Sequence, residues 1–164
     1  MSAQTTYSYS TPIGQAGGIF DLYPHGISAF TNEANDGVMK YGMAAVASTT
    51  SGKVGKAVKT GAGTFVGVVN NRRTTENDMY GNVIIRKGAT VGVMRWGRCY
   101  VLLDENAEPA VNGKVYFTSD GLFTNASSGN TEVAGIFLTT KQNGVGNQPV
   151  AVVHLYDAPQ PAGN

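Results

Sequence analysis

The sequence predicts an all-β protein: a compact antiparallel β barrel or sandwich with an internal pseudo-repeat and an extended N-terminal arm. Three observations lead there. The chain of 164 residues has 22 glycines and only 14% charged residues, well under the roughly 25% usual for soluble domains. From Val38 onward, short apolar runs bounded by Gly, Asn or Asp follow one another, and none shows a sustained period of three and four. Finally, one rhythm is written twice.

The first copy opens at Gly42 and the second at Gly113, 71 residues later. Met43–Ser48 then matches Lys114–Ser119 in residue type, and Phe65–Val69 matches Val133–Phe137. Gly67 and Gly135 are 68 apart, because the second copy has a turn and linker shorter by three residues. Residues 38–73 and 109–141 are therefore expected to form two superimposable units, joined by strands from 82–104. Val46 and Phe117 should occupy equivalent inward positions, as should Val68 and Ile136.

Taken in order, residues 1–37 read as the arm, 38–157 as the β domain and 158–164 as a tail. The arm opens with the polar "SAQTTYSYST" and the flexible "PIGQAGG", and Pro24 and Gly26 punctuate "DLYPHG". Ser28–Asn35 could form one or two helical turns. Yet Ile13, Ile19, Phe20, Leu22, Tyr23, Ile27 and Phe30 give the arm too much apolar surface for a free tail. It should order only against a neighbour, and removal of residues 2–18 should leave the β domain folded. Strands are expected at 38–48, 54–60, 64–73, 82–87, 90–95, 98–104, 113–118, 121–125, 131–140 and 149–156. Alternation is clearest in "KVYFTS" and "VAVVHLY". In the tail, Pro159 and Pro161 cannot join a sheet interior.

Charge is uneven. Residues 1–39 hold three acids and no base, 40–98 hold ten bases against Glu76 and Asp78, and 99–164 hold six acids against Lys114 and Lys141. The bases are scattered through strands without a helical cluster or interleaved aromatics, which argues against nucleic acid. No apolar run approaches the roughly 20 residues of a membrane-spanning helix. The first basic residue is Lys40, so no signal peptide is expected, and synthesis in a reducing cytoplasm fits.

Candidate chemistry is sparse. Cys99 in "RCYVLL" reads as a small buried thiol. His25 and His154 are far apart and do not make a zinc site. No Gly-x-Ser-x-Gly elbow is present. Asp104, Glu105 and Glu108 read as solvated loop acids, and "GAGTFVG" lacks the lysine of a phosphate loop. Trp96, between Arg95 and Arg98, is either an exposed anchor for a partner or a strand-end Trp packed under arginine stems. The expectation is a non-enzyme without metal or cofactor.

"GKVYFTSDGLFT" followed by "EVAGIFL", with the upstream "IIRKGATVGVMRWGRCYVLL", resembles the structural cement or capsid decoration proteins of tailed bacteriophages. The resemblance covers about residues 38–157 and leaves the arm unmatched. It implies a β-barrel or β-tulip-like virion protein on the outer capsid surface, clamping neighbouring capsomers. The partner implied is the major capsid protein, and self-association as a trimer is favoured over a dimer. It carries over no catalytic residue. The residues nominated for capsid or subunit contact are Ile13, Phe20, Tyr23, Phe30, Arg72, Arg73, Arg95 and Trp96. Alternatives are a head fibre base or tail accessory protein, and a carbohydrate-binding module with a flat platform of Trp96 or tyrosines. A small β-barrel hydrolase would need His154 beside a carboxylate and a Ser or Thr.

Overall fold

Strands make up nearly all the regular structure in the computed structural model, which describes residues 14–48, 57–71, 79 and 83–157. β1 (Gly26–Asn32), β2 (Ala44–Ala47), β3 (Ala57–Lys59), β4 (Phe65–Val69) and the long β5 (Thr90–Leu102) come first. Each pairs with two neighbours in the order β1-β3-β2-β4-β5, and β5 pairs back onto β1, closing a five-stranded barrel. All pairings are antiparallel except β1–β3. Strand alternation sends Phe30, Ala45, Val58, Val69, Val91 and Val93 inward, with Met39 and Ile85 added from loops.

β5 is twice the length the barrel needs. Its second half, Gly97–Leu102, runs on to pair with β10 (Pro149–Leu155). Outward from β10 lie β8 (Thr131–Phe137), β6 (Lys114–Phe117) and β7 (Phe123–Thr124), with the short β9 (Gln142–Asn143) also on β10. A parallel bridge between Leu103 and Phe123 brings β7 back beside the end of β5. The molecule is thus two barrels in tandem that share β5, the last strand of the first and the opening strand of the second.

The duplication is visible bond by bond. The Glu33 N–H donates to Val58 O at 2.9 Å, and Asp104 N–H, 71 residues on, donates to Phe123 O at 2.8 Å. Val46 lies opposite Phe65 as Tyr116 lies opposite Glu132, and Val69 opposite Val93 as Phe137 opposite Val153. The ladder corrects the alignment by one residue. Gly42 corresponds to Asn112, not Gly113: both are left-handed (φ 81° and 62°), and their N–H groups reach Val69 O at 2.9 Å and Phe137 O at 2.8 Å. Val46 is therefore equivalent to Tyr116 rather than Phe117. Val68 and Ile136 are equivalent, but both point outward from their barrels instead of inward.

Val68 is buried because the second barrel covers that outer face. Ala44, Val46, Val68 and Met94 share one core with Val115, Phe117, Phe123, Phe137 and Val153 from the second barrel. The Phe65 ring sits 5.6 Å from that of Phe117, and Ala44 N–H donates to Gly121 O at 2.8 Å. Burying each large side chain of this row is worth about 1.5–3 kcal/mol. Among the described residues, the equivalent outer row of the second barrel has no such cover. It reads Lys114, Tyr116, Glu132, Ile136, His154, and an ion pair of 2.9 Å joins Lys114 to Glu132 in solvent.

Three expectations need correction. Residues 26–32 form β1, not helical turns or irregular arm; "GISAFTN" alternates exposed and buried positions along its length. Segment 82–87 is not a strand where it is described, since residues 84–86 have no regular structure and 87–88 form a turn. The segments 90–95 and 98–104 are one strand, turned at Gly97 (φ 121°) where the two barrels meet.

Candidate interaction surface

Residues 14–25 cross the junction of the barrels and set up the surface. The backbone of Gly17 is held on both sides: its N–H donates to Tyr100 O at 2.8 Å, and its carbonyl accepts from Asn71 N at 2.8 Å and Asn70 Nδ2 at 2.9 Å. Only glycine fits, because φ is 78° and a Cβ would lie 2.6 Å from Val69 O. Ala16 beside it is buried. Ile19 then bridges Cys99, and Phe20 N–H donates to Arg98 O at 3.0 Å, so this stretch runs as an added strand along β5.

The chain next turns outward. Asp21 Oδ1 accepts from Tyr23 N–H at 3.0 Å, and Asp21 Oδ2 pairs with Arg98 at 2.9 Å. This tight turn throws Leu22 entirely into solvent, at 102% relative exposure. The Arg98 guanidinium lies 4.2 Å above the Tyr23 ring, a cation–π contact. Tyr23 meets His154 edge-on at 5.0 Å, and His154 meets Tyr156 at 5.2 Å, both with planes 71° apart. Phe20 packs against Tyr100 at 5.6 Å. An apolar and aromatic face results, with Ile19, Phe20, Leu22, Tyr23 and Tyr156 all exposed. Its two central charges neutralise each other. Adjacent rings stand edge to face, so they do not make the flat platform expected of a sugar site.

Burial holds the His154 pKa below its ordinary 6.5, the Arg98 charge adds to this, and Asp21 opposes it. Desolvation works to raise the Asp21 carboxyl, but the bonds from Arg98 and Tyr23 N–H and the nearby positive charges outweigh it, leaving the pKa lowered. Burial pushes the Cys99 thiol up to about 12, so it stays protonated and unreactive. Among the described residues, no three His, Cys, Asp or Glu side chains gather to hold a metal.

Of the nominated contact residues, Phe20 and Tyr23 come together on this face. Arg95 and Trp96 stand partly exposed on β5 just before Arg98, and Trp96 lies against Gly26, where a Cβ would sit 2.3 Å from Nε1. Phe30 must be removed from the set: it is 8% exposed and packs inside the first barrel, because it faces the same way as Val91 across the β1–β5 pair. Ile13, Arg72 and Arg73 lie outside the described residues. The sequence did not single out Leu22, Arg98, His154 or Tyr156 as contacts. A signal for two of them was present, since alternation in "VAVVHLY" puts His154 and Tyr156 on one side of the chain as it leaves β10.

Comparison with known proteins gives three results. The family described as structural cement protein (E217 gp24/Pam3 gp6) matches residues 3–154. No curated protein matches. Among solved structures, a chain of the capsid of Myoviridae phage XM1 superposes with a TM-score of 0.64 at 17% identity, covering 94% of this chain and 98% of that one. The head fibre gp8.5 N base of bacteriophage phi29 gives a TM-score of 0.44 at 13% identity over 82% of this chain and 98% of its own, too distant to carry an argument. At such identities the XM1 likeness shows a shared fold. The family match spans nearly the whole molecule, both barrels included, and by it the chain belongs to the phage structural cement protein family.

Proposed function

We propose that this virion structural protein is not an enzyme, and that it binds the outer surface of the major capsid protein shell and clamps neighbouring capsomers. The supporting observation is the apolar face around Leu22 and Tyr23, presented by a turn that is bonded to a closed double barrel. A rigid body of this kind loses little entropy on docking. Bridging several subunits lets modest contacts add as avidity. The basic 40–98 region would speed encounter with an acidic shell more than it would raise affinity. Self-association as a trimer, in preference to a dimer, would multiply the contacts. Phe20 and Tyr23 are the contact residues proposed, with Trp96 and Arg95 beside them.

Particles assembled without this protein, with it added back, test the reading. Imaging should find the protein spread over the shell exterior, and the loaded shells should resist heat better than bare ones. Protein found only at the tail or at a single vertex would overturn it.

A further inference from the structure

One residue of β5 holds the turn that carries Leu22 and Tyr23. Arg98 reaches Asp21 through Nη1 at 2.9 Å and lies 4.2 Å over the Tyr23 ring. Asp21 in turn accepts the Tyr23 N–H at 3.0 Å, and the Tyr23 carbonyl accepts from His25 Nδ1 at 3.0 Å. Leu22 is fully in solvent, so the bonds of its neighbours set its position. Arg98 itself starts from a fixed base. Its carbonyl accepts Phe20 N–H at 3.0 Å, and it lies opposite His154 in the β5–β10 ladder. Among the described residues, Arg98 Nε is buried with no partner, so the guanidinium is held through Asp21 and Tyr23. The Arg98 and Asp21 side chains are already about two-thirds covered, at 31% and 33% exposure. His154 adds no charge near neutral pH, since burial and Arg98 hold its pKa below the ordinary 6.5.

We propose that Arg98 is the positioning residue of the contact face: its pairing with Asp21 fixes Leu22 and Tyr23 in their docking shape, and the neutralised pair fits an apolar, uncharged socket on the shell. This rests on the proposed function and specifies the partner surface it needs. A carboxylate set against Arg98 would compete with Asp21, and a cation set against Asp21 would compete with Arg98. A pair that is already matched can be closed over, whereas a lone charge would be stranded. A turn fixed before docking also loses less entropy than one ordered on contact. Leu22 is the side chain that enters the socket, and the edge-on rings of Tyr23, His154 and Tyr156 surround it.

Attachment of full-length variants to shells assembled without this protein is the test. Leu22→Ala should weaken attachment about tenfold or more. Arg98→Met and Asp21→Ala should each weaken it about tenfold, and the double variant no further than either one, because both break one latch. With Leu22→Ala and Tyr23→Ala already in place, Arg98→Met should add less than about a twofold loss. A large further loss there would make Arg98 a direct contact and overturn its positioning role. In the free protein, NMR should show the contact between the Tyr23 and His154 rings lost in Arg98→Met and in Asp21→Ala, while the Gly17–Tyr100 bond persists. A ring contact that survives both changes would overturn the latch. Wild-type dissociation should change little with salt, because no charge of the partner engages this face. A rate that rises steeply with salt would overturn the uncharged socket. Latch variants that attach as well as wild type end this inference and leave the proposed function standing. A wild-type protein that does not attach ends the proposed function, and this docking with it.

Discussion

Gly42 and Asn112 occupy the same place in the two barrels. Both have left-handed backbone, and both N–H groups close the barrel against the last residue of the matching strand, Val69 and Phe137. Their surroundings differ. A Cβ on Gly42 would lie 2.9 Å from Ala16 Cβ and from Leu102 N, whereas Asn112 is exposed. Asn112 already carries a Cβ at this φ, so Asn112→Ala should lose only the better left-handed tolerance of Asn, about 1 kcal/mol or less. Gly42→Ala should take the full left-handed penalty of about 1–2 kcal/mol and overpacking of about 1–3 kcal/mol besides. Urea denaturation of the two variants measures the difference, and equal losses would show that the crowding at Gly42 is relieved by movement.

Met94 and His154 make a second equivalent pair with opposite fates. Met94 is fully buried where the barrels meet, and His154 stands at the open face. Met94→Ala should cost about 2–5 kcal/mol through lost burial and a cavity. His154→Ala should cost about 1 kcal/mol or less, since a surface site loses few contacts. Similar losses at both sites would mean that the outer face of the second barrel is already part of a core.

These pairs also mark how far the sequence could be read. The β class, most strand positions and the repeat were legible, because alternation and Gly-bounded spacing survive in "KVYFTS" and "VAVVHLY". The one-residue offset was not. Glycine and asparagine both tolerate positive φ, so Gly113 attracted the alignment that belongs to Asn112. Nor could type patterns show that β5 serves both barrels, because Gly97 looks like a strand end and is a turn within one strand. The face itself was half legible: Phe20 and Tyr23 stood out as apolar residues in a polar segment. Arg98, His154 and Tyr156 join them only through pairings between β5 and β10, which local sequence does not encode. Phe30 was misread because β1 is held by β5, some sixty residues on, and not by any signal in "GISAFTN".

His154 gives the face a pH signature. Its folded pKa lies below the ordinary 6.5 through burial and the Arg98 charge, with Asp21 opposing. The unfolded chain thus takes the proton first as pH falls below about 6.5. Stability contributed by neutral His154 is present above that value and is lost as pH falls through the lower folded pKa. Asp21 acts in the same sense at lower pH, its carboxyl being lowered from 3.8. An NMR titration of the His154 ring should give a midpoint below 6.5. Arg98→Met should raise that midpoint, and Asp21→Asn should lower it. A midpoint above 6.5 in the wild type would mean that the Asp21 charge dominates the site.

The part of the N-terminal segment from residue 14 onward should behave as core, contrary to what its composition predicts. Ala16 is 2% exposed, and Gly17 ties Tyr100 of β5 to Asn70 and Asn71 at the end of β4. Deleting residues 2–18 would unmake those bonds, expose Ala16's neighbours Met43 and Leu102, and leave the buried Asn70 amide without its acceptor. An unsatisfied buried polar group costs about 1–3 kcal/mol, so the loss should read as a clear drop in melting temperature. Deleting only residues 2–12 leaves all of these contacts in place. Gly17→Ala isolates the same point in one residue, since it combines a left-handed φ with a Cβ 2.6 Å from Val69 O. It should destabilise by about 2 kcal/mol or more. Equal melting temperatures for the 2–18 deletion and the full-length protein would show that the segment rests on the barrels without stabilising them.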